Sequence, residues 1–424
     1  MVPFADSAGM TWGIAALATC GVIVRPWRLP EAVWAVLGAT ALVALGLLPW
    51  SDALTGVAKG TDVYLFLVGM MLLAELARKE GLFDWLATFA VEHANGSPQR
   101  LFTLIYIVGT VVTVLMSNDA TAVVLTPAVY AAARAAGAEP RPYLFICAFI
   151  ANAASFVLPI SNPANLVVFG AHMPALPAWL AQFALPSLVS ITVTYVALRL
   201  GLRRELGQEV LTTQVPRPAL AESGWLAAAG IGSTAIALLV CSALDLQLGL
   251  PTFLCGGVTG LAVFVTQWKS PWPVLRDISW SVLPLVAGLF VLVEGLGHTG
   301  VISALAGLLR DAVVESPQRA AWGTGVIVAI ASNLMNNLPV GLIAGSVVAA
   351  DHLHPHVVGA ALIGVDLGPN LSITGSLATI LWLTALRREG EDISVWHFLR
   401  LGAIVMFPAL ILSLLCLLLL TPGL

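Results

Sequence analysis

The sequence predicts an all-α polytopic membrane protein: ten transmembrane helices plus two re-entrant helical hairpins in two inverted-topology repeats. Three observations carry that prediction: an apolar excess with almost no charged surface, ten apolar runs of membrane-spanning length, and an internal match of the chain with itself. Of 424 residues, 59% are hydrophobic and 10% charged, against about 45–50% and about 25% in soluble domains. A mean hydropathy of +0.94 leaves no ordinary water-soluble surface. It excludes a secreted scaffold, a nucleic-acid binder and a cytosolic enzyme. The net charge of −4 is small, so the placement of charges says more than their sum. The 38 glycines and 25 prolines point to interrupted membrane helices. Cys20, Cys147, Cys241, Cys255 and Cys416 lie in apolar segments without CxxC spacing and read as packing residues. The N-terminus has no basic region or small-residue cleavage site, so no signal peptide is expected.

Apolar runs of about 17–25 residues cross a bilayer as helices. They fall at about 8–24, 30–49, 61–79, 142–170, 178–200, 224–244, 250–268, 281–297, 357–383 and 396–420, the fourth and ninth broken by polar residues. Two further stretches, about 98–134 and 317–350, carry a polar cluster at the middle and read as hairpins returning to their starting face, or as paired full spans. With both termini outside, 16 basic residues fall on the cytoplasmic face, against only Lys59, Arg310 and Arg319 outside. That bias follows the positive-inside rule.

Shifted by 219 positions, the chain matches itself: Ser97-Pro98-Gln99-Arg100 recurs as Ser316-Pro317-Gln318-Arg319. Gly69 meets Gly288, Glu75 meets Glu294, Gly81 meets Gly300, and Asn118 meets Asn337. After a small deletion the shift becomes 213, and Leu158 and Ile160 meet Leu371 and Ile373. The repeats occupy residues 1–200 and 224–424, joined by a polar cytoplasmic linker at 201–223 that contains Pro216 and Pro218. Each has five spans and one hairpin; five is odd, so the second is inverted. Such repeats with broken helices build secondary transporters, whose substrate sits near the midplane between the halves.

Four polar clusters fall at membrane depth. Ser117-Asn118-Asp119 and Asn336-Asn337 are the expected hairpin tips, while Ser155–Asn165 and Asp366–Ser376 are broken spans. Unpaired backbone groups there must face protein or a water-filled cavity. The arm after each tip begins with free N–H groups and a positive dipole end, suited to solute oxygens. Ser117, Asn118, Ser161, Asn162, Asn337, Thr374 and Ser376 are the expected substrate-binding residues. Acidic residues at this depth are rare and usually functional. Glu75 and Glu294 lie near span ends and read as interface anchors, Glu75 beside bases such as Lys79. Asp119 and Asp366, matched by the shift with Leu338 and Ala153, are the expected proton-coupling pair. No Lys or Arg lies near the middle of a span, which disfavours a di- or tri-anion and suits a neutral hydroxyl-bearing solute or a cation. His352, His354 and His356 read as a solvated external loop, and neither a metal site nor a cofactor is expected.

The pattern SNDATAVVLTP (Ser117–Pro127), the segment Gly69–Gly81 and MNNLP (Met335–Pro339) resemble the bacterial arsenite efflux permeases of the ion transporter superfamily. The resemblance runs from about residue 10 to 420. It implies ten spans and two hairpins, and export of As(III), commonly with Sb(III), driven by inward proton flow. Some members work with a soluble ATPase subunit, a partner this sequence leaves open. The expected partners are therefore arsenite, protons and the lipid bilayer, with no nucleic acid. A sodium–proton antiporter or organic-anion carrier of the same superfamily, and a passive metalloid channel, are the competing readings. A membrane enzyme is the weakest, because no nucleophile–base pair or metal motif occurs.

Overall fold

The computed structural model describes residues 4–170, 173–206, 211–212, 215, 218–350 and 353–420. His352, Pro216 and Arg217 lie outside the described residues. All regular structure among the described residues is helical. The first half comprises α1 (Phe4–Val24), α2 (Glu31–Ala44), α3 (Trp50–Lys59), α4 (Thr61–Lys79), α5 (Leu82–His93), α6 (Pro98–Leu115), α7 (Thr126–Ala135), α8 (Arg141–Ala153), α9 (Pro163–Phe169) and α10 (Leu176–Gly201). The second comprises α11 (Glu222–Ala243), α12 (Gly249–Gln267), α13 (Trp272–Asp277), α14 (Val282–His298), α15 (Val301–Glu315), α16 (Pro317–Met335), α17 (Asn337–Ala349), α18 (Pro355–Leu367), α19 (Leu377–Arg388) and α20 (Val395–Leu420).

The repeated tetrapeptide starts a helix at both places. The Ser97 hydroxyl accepts from the N–H of Arg100 at 3.3 Å, and Ser316 accepts from Arg319 at 3.4 Å. Pro98 and Pro317 take first-turn positions, where no N–H is missed. Among the described residues six helices are long and apolar enough to cross a membrane, or eight when the bent pairs α3–α4 (45°) and α14–α15 (73°) each count as one span. α6 is among the six; the sequence reading took it as a hairpin arm, with a full span as the alternative. The expected span at 30–49 is a helix only to Ala44, because the chain turns at Gly46 with a φ of +68°. The fourth and ninth expected spans are each split in two, as α8/α9 and α18/α19. Helices α3, α5, α13 and α15 were not anticipated; each is short, and α3 carries Ser51, Asp52 and Lys59.

The two halves pack across one another. α4 lies on α12, and α2 lies on α14. Glycine sets both crossings. A Cβ on Gly69 would sit 2.4 Å from the carbonyl oxygen of Thr252, and one on Gly288 would sit 2.7 Å from the backbone of Ala35. Close backbone approach through small residues is how helices associate without a hydrophobic driving force. Gly69→Ala is expected to push α4 off α12 at a cost of about 1–3 kcal/mol. Thermal unfolding in detergent should show the loss, while Gly232→Ala, with open space around it, should leave the transition unmoved.

Candidate substrate site between the two hairpin tips

The first tip forms where α6 ends. Met116 leaves the helix at φ −117°, ψ −78°, and the Ser117 hydroxyl accepts from the N–H of Ala120 at 3.2 Å. The returning arm opens as a π-helical stretch, Ala120–Leu125, before α7, a geometry concentrated at functional sites. Thr113 and Thr121 hydroxyls join the two arms at 2.8 Å. At the second tip Asn336 takes φ +73°, and its carboxamide oxygen accepts from the N–H of Leu338 at 3.3 Å. The N–H of Asn337 donates to the Gly375 carbonyl at 2.8 Å, holding the tip to the α18–α19 break.

The breaks satisfy their own backbone. Asn165 donates to the carbonyls of Ser155 (2.9 Å), Leu158 (3.3 Å) and Pro159 (3.3 Å), which the interrupted helix leaves open. Asn162 caps α9 by accepting from Ala164 N–H at 2.9 Å, and Ser376 caps α19 by accepting from Thr379 N–H at 3.1 Å. α9 packs on α17, and α19 on α7 and the π-helical stretch, so each broken span meets the hairpin of the other half.

Asn118, Asp119, Asn162 and Asn337 line one small cavity of about 10 Å³, with Leu67, Pro163, Val282, Val286, Leu338, Leu377 and Ala378. That is room for about one water. A vestibule of about 640 Å³ adjoins it and shares Leu67, Asp119, Pro163 and Val282 as walls. Ser117 lies on the vestibule wall. Arg78, Asp277, Arg388 and Glu389 line it as well, and carry its wall to one face of the protein. The half-buried Asp119 has no hydrogen-bond partner among the described residues, and the buried Asn118 Oδ1 has none either. Both are free to meet a solute.

The other expected residues lie beside the cavity, committed to internal bonds. Ser161 donates to the Val114 carbonyl at 3.1 Å. Thr374 donates to the Asn333 carbonyl at 3.3 Å. The Ser376 hydroxyl shares a 2.7 Å bond with Thr379. Asp366 is fully buried; its Oδ1 accepts from Asn162 Nδ2 at 2.7 Å, and its Oδ2 is unpaired, the Ser155 hydroxyl being bonded to the Asn152 carbonyl. Asp366 therefore fixes the amide that lines the cavity. Asp366→Leu should strand that N–H at about 1–3 kcal/mol and lower the unfolding temperature in detergent, whereas Asp366→Asn, which still offers an oxygen, should keep most of the stability.

Sequence reading missed a second buried bond between a residue of α8 and the break after α18. Asn152 donates to Asn370 Oδ1 at 3.0 Å, and Asn370 donates to the Phe149 carbonyl at 3.1 Å. α8 and α18 are both 13 residues long, with Asn152 and Asp366 each the twelfth. By place in its helix Asp366 answers Asn152, the neighbour of the Ala153 that the 213-residue shift gives. A one-residue adjustment of the repeat would have exposed it.

Ion pairs hold the remaining acids. Glu75 pairs with Arg78 and Lys79 on its own helix, and Glu294 pairs with Lys59 at 2.6 Å. Lys79 also donates to Asp277 at 2.7 Å, which holds that carboxyl below its ordinary value. This link between α4 and α13 is present at neutral pH and is lost only as pH falls through that lowered value. The cysteines are free thiols, and none lines the cavity or the vestibule.

Comparison with known proteins places the chain among transporters. The citrate transporter family matches residues 16–364. The arsenical pump membrane protein of Yersinia enterocolitica is 30% identical over 365 residues, 82% of this chain and 83% of that protein. One from Escherichia coli is 27% identical over 411 residues, 93% and 94% of the two chains. The crystal structure of the Alcanivorax borkumensis YdaH transporter, described as having an unusual topology, superposes with a TM-score of 0.56 at 15% identity, covering 87% of each chain. That likeness speaks to fold alone.

Proposed function

Because the chain belongs to the citrate transporter family and to the arsenical pump membrane proteins, we propose that it exports arsenite, and antimonite with it, in exchange for protons by alternating access. One observation carries the reading: asparagines from both hairpin tips and the α9 cap meet a partnerless Asp119 in a single cavity at the deep end of a large vestibule. Arsenite near neutral pH is mostly the uncharged trihydroxide. Carboxamides both donate to and accept from hydroxyls, so Asn118, Asn162 and Asn337 suit it. No Lys or Arg lines the small cavity, which favours a neutral solute over an organic anion.

In this reading the halves are inverted repeats, 1–200 and 224–424, with the vestibule open to the cytoplasm. The reciprocal α4–α12 and α2–α14 crossings support that arrangement. Arsenite enters through the vestibule and meets Asn118 and Asp119. Val286, Leu338, Leu377 and Ala378 close the path beyond. A neutral solute leaving against its gradient draws on the membrane potential only through a charged partner, at about 2.3 kcal/mol per charge per 100 mV. Asp119 supplies it by taking and releasing a proton as the site changes faces, and Asp366 keeps Asn162 in place. The test is proton movement on adding arsenite to proteoliposomes of the pure protein. Arsenite-dependent alkalinisation or acidification is expected; proton movement with sodium but not arsenite would assign an antiporter instead. Arsenite flux that an uncoupler leaves unchanged would assign a channel.

A further inference from the structure

A second cavity, of about 270 Å³, lies away from the substrate path, where α6 begins and α10 ends. Gln99, Arg199 and Arg203 form its polar wall, and Val196, Leu200 and Leu206 its apolar one. Arg199 Nη1 donates to the Tyr195 hydroxyl at 2.8 Å and to Thr103 at 3.5 Å, and those two hydroxyls share a bond of 2.7 Å. The guanidinium also stands 5.9 Å from the Tyr195 ring centroid. One edge of the fork is thereby fixed, and a guanidinium has five donors to give. Among the described residues no carboxylate pairs with Arg199 or Arg203; nearby Glu205 instead faces His397 at 3.5 Å.

Two features make this more than a surface arginine pair. At the 219-residue shift Trp322 stands at Thr103, and α20, the last helix of the second half, carries no Lys or Arg after Arg400, so the cluster is not repeated there. The apolar wall is open beside it: Val196 and Leu200 are 47% and 60% exposed, on a helix long and apolar enough to span the membrane. Arg199 lies in the last turn of α10 and Arg203 in the turn that follows Gly201, and both line this cavity. The cavity therefore offers a fixed arginine fork at the end of a spanning helix and an acyl-chain groove running along it. Basic pockets between spans bind anionic headgroups in this way, and arginine matches phosphate oxygens with paired bonds.

We propose that this cavity is a binding site for the phosphate of an anionic phospholipid, with an acyl chain along Val196 and Leu200. Among the described residues no acidic side chain lines the cavity to receive a choline or ethanolamine, which disfavours a zwitterionic lipid. The test is native mass spectrometry of delipidated full-length protein titrated with dioleoylphosphatidylglycerol or dioleoylphosphatidylcholine. The first phosphatidylglycerol should bind about tenfold or more tighter than phosphatidylcholine, at about one interfacial charge contact per arginine. Arg199→Gln with Arg203→Gln should erase that preference, and the exposed Arg203→Gln alone should reduce it with no change in thermal unfolding. Equal binding of the two lipids by the wild type would overturn the site, as would an unchanged preference in the variants. Displacement of phosphatidylglycerol by millimolar inorganic phosphate would assign the cavity to a free anion and overturn the lipid.

Discussion

Asp119→Asn should bind arsenite and fail to accumulate it. The substitution keeps shape and hydrogen bonding and removes only the ionisable group. Asp119 spends no hydrogen bond on the fold among the described residues, so its loss should not unfold the tip. One coupled charge is worth about 2.3 kcal/mol per 100 mV, equivalent to about a 50-fold arsenite gradient. In inverted vesicles with an imposed pH gradient, the variant should equilibrate arsenite without concentrating it, and its rate should lose its dependence on pH. Wild-type accumulation with unchanged pH dependence would remove Asp119 from coupling. The position of the residue supports the choice over Asp366. Asp119 lines both the cavity and the vestibule and so can exchange protons with water, whereas Asp366 is sealed and bonded to Asn162.

Helix starts and breaks were legible in the sequence because their chemistry is local. Ser-Pro at 97–98 and 316–317 can do little except open a helix, and the prolines and asparagines at 159–165 and 368–376 cannot continue one. The tip residues Asn118 and Asn337 were legible from their matched positions. What the pattern does not encode is which way a polar group turns inside a break. Ser161, Thr374 and Ser376 sit in the right segments, yet backbone carbonyls and caps there need partners, and these hydroxyls supply them. Only packing shows which groups are left over. The short helices α3, α5, α13 and α15 were hidden for a different reason: each fills a gap between expected spans and is too short or too polar for a membrane-length hydropathy window to mark it.

The leftover groups define the second large effect. Asn118 Oδ1 is buried without a partner, and Asn337 faces the same cavity from the opposite tip. Truncating Asn118 therefore breaks no recorded side-chain bond in the fold, while removing a donor and an acceptor from the solute. Each neutral hydrogen bond contributes about 0.5–1.5 kcal/mol, so Asn118→Ala and Asn337→Ala should each weaken arsenite binding by about two- to tenfold. The double variant should lose more than either, because two hairpins closing on one small trihydroxide act as a single clamp and their effects couple. Asn162→Ala is the contrast. It uncaps α9 and strands Asp366, so it should lower thermal stability as well as affinity. Arsenite binding to the purified variants, measured beside their unfolding temperatures, separates the cases. Unimpaired arsenite export by both tip variants would place the solute elsewhere, higher in the vestibule near Ser117, and leave the tips a purely structural role.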